Sequence, residues 1–120
     1  MIFGIGCDII EIERIASCDE RFLKKHFTEA EIELFKRKKL PQTVAANFAA
    51  KEAFSKALGT GVRGFSLIDV EVLRDDMGKP YINLSGGAKE LFESAGANKI
   101  FVTLSHSKEL AMAYVILEKE

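Results

Sequence analysis

The chain has almost no net charge, only two cysteines, no long apolar run, no internal repeat and no low-complexity linker. With 17 basic and 18 acidic residues, no global field draws it to nucleic acid or an anionic membrane, so any anion must be met locally. Cys7 and Cys18 do not form a CxxC pair, which argues against a secreted disulfide scaffold and for a reducing, cytoplasmic setting. The apolar opening MIFGIGCDII lacks a basic leader and reaches an acid at Asp8, so it reads as a first strand rather than a signal peptide or membrane span. No H-E-x-x-H, Cys/His cluster or G-x-S-x-G occurs, which leaves zinc and serine-hydrolase chemistry without support, and the G-x-x-x-x-G-K-[ST] phosphate loop is absent.

What remains is 120 residues, enough for one domain (1–120) with its own core. Ile2, Phe3, Ile5 and Cys7 alternate with Gly4 and Gly6, glycines that let another backbone come close. Helical spacing runs from about Ile10 to Phe27, with an interruption near Asp19. Thr28 and Glu31 match a capping box, opening a second helix that runs to about Lys38 and stops before Pro41. Thr43 is the expected cap of a third, alanine-rich helix ending at Gly59. Ser66–Arg74 and Lys79–Leu84 read as a hairpin across DDMG, Gly86–Ala97 as a fourth helix, and KIFVTLSHS with ELAMAYVILEK as a second hairpin. The expected fold class is α+β: a mostly antiparallel sheet packed against helices, joined by the N-terminal strand.

Glu52 and Lys56 lie four apart on the third helix and share a face. The plain explanation is a surface ion pair; the alanine and phenylalanine content around them argues instead for an enclosed groove. The following LGTGVRG offers backbone N–H groups to phosphate oxygens. Asp8 is either a helix N-cap, with Glu11 as its capping-box partner, or the second carboxylate of a Mg²⁺ site with Glu52. His106 reads as a strand-end residue between Ser105 and Ser107, and His26, beside Lys24 and Lys25, as solvated surface.

Taken together, GIGCDIIEIERI at 4–15, FAAKEAFSKALGTG at 48–61, GKPYI at 78–82 and LSHS at 104–107 resemble the bacterial holo-acyl-carrier-protein synthases, the short branch of the 4'-phosphopantetheinyl transferase superfamily. The resemblance covers essentially the whole chain. It implies the phosphopantetheinyl transferase fold and transfer of 4'-phosphopantetheine from coenzyme A to a serine of apo acyl carrier protein, with Mg²⁺ as cofactor. It further implies Asp8 and Glu52 as metal ligands and Lys56 and Lys51 beside the phosphates. Gly59, Thr60, Gly61, Ser105 and His106 would lie near the coenzyme, and Arg14 and Arg21 would dock the acidic carrier protein. The branch is known as homotrimers with active sites between subunits.

The chain departs from the family pattern twice. Asn47 stands where members often place arginine, directly before F-A-x-K-E-A, and Ile10 replaces the second acid of the D-x-E found in larger superfamily members. Two other classes fit parts of the sequence: a coenzyme-binding module without turnover, and a structural oligomer in which Glu52 and Lys56 are only an ion pair.

Overall fold

A computed structural model describes residues 1–120. Strand β1 (Ile2–Glu11) pairs antiparallel with β5 (Leu110–Glu118), which pairs antiparallel with β4 (Lys99–His106), giving the order β1-β5-β4. Strands β2 (Val70–Arg74) and β3 (Pro80–Leu84) form a separate hairpin. Between β1 and β2 in the chain lie helices α1 (Ile12–Ala16), α2 (Glu20–His26), α3 (Glu29–Lys38) and α4 (Pro41–Leu58), and α5 (Gly86–Ser94) joins the two hairpins. No helix is long and apolar enough to cross a membrane.

The expected single sheet is therefore two. The outer edge of β2 bonds to side chains instead of to another strand: Lys51 Nζ donates to the Val70 carbonyl, Asn47 Nδ2 to the Val72 carbonyl (2.8 Å), and the Val72 N–H donates to Glu31 Oε2 (3.3 Å). An edge covered in this way is closed to further strands.

Asp8 caps no helix. The strand continues to Glu11, which is the N-cap of α1 and makes no side-chain bond. The interruption expected near Asp19 is present: α1 ends at Ala16, and Asp19 caps α2, accepting from the Phe22 N–H at 3.0 Å. The Thr28–Glu31 capping box is present, and α3 stops at Lys39 in the left-handed conformation (φ 55°). Helix α4 opens with Pro41 in its first turn, so Leu40 rather than Thr43 is the N-cap, consistent with proline's preset φ. The residues before Val70 form a short 3-10 turn, Leu67–Asp69, instead of extending the strand.

Helix α4 is the centre of the molecule. Ala49, Ala50, Ala53 and Ala57 are buried together with Ala113, Val115 and Leu117 of β5. Strand β1 lies directly on the helix backbone: a Cβ at Gly4 would stand 1.9 Å from the Ala57 carbonyl oxygen, and one at Gly6 the same distance from that of Ala53. Only glycine permits this approach. His26 is not free surface, because its ring stacks 4.6 Å from Phe22 and 6.5 Å from Phe48, and burial lowers its pKa, helped by Lys25 and Lys51.

Candidate active site

Alternation along β1 puts Asp8 on the same side as Gly4 and Gly6, facing α4. The close approach permitted by those glycines brings Asp8 to Lys56, whose Nζ donates to Asp8 Oδ1 at 3.0 Å and to the Cys7 carbonyl at 3.0 Å. Lys56 therefore bonds across to the strand rather than to Glu52 on its own helix. Its side chain is 53% exposed and that of Asp8 19%, so the pair sits at the protein surface with the lysine open to solvent. The hydrogen bond to Asp8 raises the Lys56 pKa and keeps the ammonium charged.

Glu52 is half-buried one turn earlier. Desolvation is the first cause of its raised pKa and the charge of Asp8 the second, with Lys56 pulling the other way. Two neighbouring carboxylates, one on a strand and one on a helix, form a donor set suited to a hard divalent cation that takes few protein oxygens and fills its remaining positions with water and phosphate. Asp8 and Glu52 fit Mg²⁺ on that ground.

Lys51 is elsewhere. It shares a stripe of α4 with Asn47, Phe54 and Leu58, is fully buried, and donates to Glu31 Oε1 at 2.7 Å and to the carbonyls of Leu67 and Val70. Its ammonium also lies 5.0 Å from the centre of the Phe27 ring. With its three N–H donors used, it has none left for a phosphate, which corrects the expectation drawn from its position beside Glu52. Desolvation lowers the Lys51 pKa and raises that of Glu31, while the bonds between them oppose both shifts.

Glu31 is thus more than a capping residue. It accepts from Thr28 N–H, Val72 N–H, Asn47 Nδ2 and Lys51 Nζ with no exposure at all. This network was missed in the sequence, although the i, i+4 spacing of Asn47 and Lys51 on the apolar stripe carried its signal.

The Gly59–Gly61 turn caps the end of α4. Gly59 (φ 89°) and Gly61 (φ 64°) turn their N–H groups back onto the carbonyls of Ser55 and Lys56, so the two glycine amides are not free donors, contrary to expectation. Thr60 lies exposed between them, its hydroxyl donating to the Gly61 carbonyl at 2.9 Å. Ser105 and His106 are exposed at the end of β4. His106 lines a cavity of about 300 Å³ with Lys38, Arg74 and Thr43, which none of Asp8, Glu52 and Lys56 lines. Arg14 on α1 and Arg21 on α2 are both exposed.

The pattern of the 4'-phosphopantetheinyl transferase superfamily matches residues 4–115. The holo-[acyl-carrier-protein] synthase of Clostridium botulinum (strain Alaska E43 / Type E3) is 53% identical over 98% of both chains. Among solved structures, a holo-(acyl-carrier-protein) synthase from Bacillus anthracis in complex with CoA (3',5'-ADP) is 41% identical with a TM-score of 0.84, covering 100% of this chain and 99% of its own. The Neisseria meningitidis synthase superposes with a TM-score of 0.90 at 33% identity, covering 99% and 100%. A strand-borne aspartate meeting the K-E-A-x-x-K helix, in a fold shared over the full length, makes this chain a member of the holo-[acyl-carrier-protein] synthase family of 4'-phosphopantetheinyl transferases.

Proposed function

We propose that the chain transfers the 4'-phosphopantetheine group of coenzyme A to a serine of apo acyl carrier protein, releasing adenosine 3',5'-bisphosphate, with Mg²⁺ held by Asp8 and Glu52. The observation that carries the site assignment is the meeting of Asp8 with half-exposed Lys56, one helical turn from Glu52. When bound, the cation neutralises charge on the diphosphate and on the group in transfer. Lys56 is the residue free to reach a phosphate oxygen, since its half-exposed ammonium is held by Asp8 and one carbonyl. Asp8, anchored in the sheet against α4, fixes where the diphosphate is drawn. Glu52, beside it, is also placed to take the proton of the incoming serine hydroxyl.

Two further parts of the reading concern assembly. The face of the β1-β5-β4 sheet turned away from α4 exposes Ile5 (54%), Ile9 (62%), Phe101 (51%) and Tyr114 (39%), an apolar surface that a trimer would cover. Its active sites would then lie between subunits, with Ser105, His106 and Thr60 approaching the coenzyme from either side. Exposed Arg14 and Arg21 give an acidic carrier protein a local docking surface on α1 and α2, despite the balanced overall charge. The near-neutral chain with two free cysteines works in the cytoplasm.

The test is incubation with coenzyme A, Mg²⁺ and apo carrier protein, followed by mass spectrometry of the carrier. One added phosphopantetheine per carrier, lost when Mg²⁺ is chelated, is the expected result. A carrier of unchanged mass would defeat the proposal.

A further inference from the structure

Glu52 and Lys56 stand in the order and spacing that favour an ion pair along a helix, glutamate four residues before lysine. That pair is not made. Glu52 takes part in none of the chain's ion pairs, and Lys56 reaches across to β1, where Asp8 Oδ1 and the Cys7 carbonyl each accept from its Nζ at 3.0 Å. Lys56 thus sits as a cation on one of the two carboxylates assigned to Mg²⁺ and leaves the other alone.

The hold on Asp8 is of a kind that can be given up. An ammonium has three N–H donors, and Lys56 spends two of them with half of its side chain in solvent, so water can replace either acceptor without leaving a buried donor unpaired. An ion pair this exposed is weak, and the four-carbon stem of lysine lets the head group swing. Asp8 has no such freedom, since the strand that carries it is pressed on the backbone of α4 at Gly4 and Gly6. Of the two partners, the lysine is the one that moves.

Asp8 Oδ1 cannot hold an ammonium at hydrogen-bond distance and a divalent cation together without setting two positive charges against each other. We propose that Lys56 is an exchangeable counter-cation of Asp8: it occupies the carboxylate in the free protein and yields it to the divalent cation when a diphosphate offers the ammonium a phosphate oxygen in return. The site then opposes the ion alone and favours ion and diphosphate together, a positive coupling that resides in one side chain. The assignment rests on the phosphopantetheinyl transfer reading, with Asp8 and Glu52 as the metal ligands.

The experiment titrates Mn²⁺, which takes the same oxygen ligands as Mg²⁺, without coenzyme and counts the free ion by electron paramagnetic resonance. Removing the competing ammonium in Lys56→Met should tighten Mn²⁺ binding by about 3- to 10-fold over the unmodified protein. In an Asp8→Asn background, which has no carboxylate to release, the same substitution should change the affinity by less than about twofold. An equal gain in the Asp8→Asn background would reduce Lys56 to a general positive field and overturn the proposal, as would a Lys56→Met variant that binds Mn²⁺ no more tightly than the unmodified protein.

Where the Asp8→Asn proteins bind too little ion to compare, proton–nitrogen spectra of the lysine ammonium groups in the unmodified protein decide, with Lys56→Arg identifying the Lys56 signal. Saturating Mg²⁺ should move that signal to the position of a solvated lysine. A Lys56 signal that stays in place while Mg²⁺ binds overturns the exchange. Absence of phosphopantetheine transfer with these ion effects intact would defeat the enzymatic reading and leave the exchange standing, whereas transfer by a protein in which Lys56 has no Asp8-dependent effect on the ion defeats the exchange alone.

Discussion

Helix α4 carries two lysines five residues apart in opposite circumstances. Lys51 is fully buried, with its three donors spent on Glu31 and two carbonyls, whereas Lys56 is half-exposed and holds one carboxylate and one carbonyl. The difference separates what a charge does for a fold from what it does for a reaction. A charge taken wholly out of water must be satisfied on every side, and once satisfied it ties α3, α4 and β2 into one arrangement. A charge left half in solvent keeps capacity for a ligand and contributes little to stability.

The contrast breaks most sharply at Lys51. Replacing it with methionine leaves Glu31 buried without its cation, and the expected loss is about 3–5 kcal/mol of unfolding free energy in urea titration. The double variant Glu31→Leu/Lys51→Met should recover much of that loss, because no uncompensated charge remains. Lys56→Ala should stay within about 1 kcal/mol of the unmodified protein in the same titration. A Lys56→Ala variant as unstable as Lys51→Met would erase the distinction.

Next in size is Glu52→Gln. It keeps the shape of the side chain and removes its charge, so phosphopantetheine transfer should fall by about 100-fold or more while the melting temperature holds or rises, since the carboxylate is disfavoured first by burial and then by the charge of Asp8. Calorimetry should also show Mg²⁺ affinity in the presence of coenzyme A falling in this variant. Near-normal turnover would remove Glu52 from the site.

A smaller effect is expected from Gly6→Ala. Its Cβ would stand 1.9 Å from the Ala53 carbonyl oxygen and 2.6 Å from the Ala57 nitrogen, both backbone atoms that cannot rotate away. The strand must lift from α4, at a cost of about 1–3 kcal/mol. The same shift moves Asp8 away from Lys56, so kcat should fall further than stability alone explains. A variant that loses stability but keeps full kcat at low temperature would show that the Asp8–Lys56 distance does not matter to the reaction.

Much of this was legible in the chain itself. The capping box at Thr28, the stop at Gly59 and both hairpins follow from local patterns, because each depends on neighbours in sequence or on one residue's conformational freedom. Lys51 was misplaced because adjacency to Glu52 is not adjacency in space: one residue on a helix is a rotation of about 100°. Which of two lysines faces the core is decided by Glu31, twenty residues away, and by the carbonyls of a hairpin edge. Asn47 likewise read as a missing arginine until the hairpin placed Arg74 against it. Long-range polar partners of this kind leave no local pattern.

His26 gives the smallest effect and the finest test of how far the buried network reaches. Its ring packs against those of Phe22 and Phe48, and its pKa is lowered first by burial, then by the charges of Lys25 and Lys51. The unfolded chain therefore binds a proton on this residue at a higher pH than the folded one does. Between the ordinary histidine value and the lowered folded value, the unfolded state carries more protons, so stability contributed by neutral His26 is present above that window and is lost as pH falls through it. The melting temperature should decline over this range, below the ordinary histidine pKa. His26→Phe should flatten that part of the curve while keeping the aromatic contact. Lys51→Met, measured where it remains folded, should narrow the window by removing one of the two cations that disfavour the imidazolium. A decline that persists unchanged in His26→Phe would assign the titration to another group and leave this edge of the core electrically independent of Lys51.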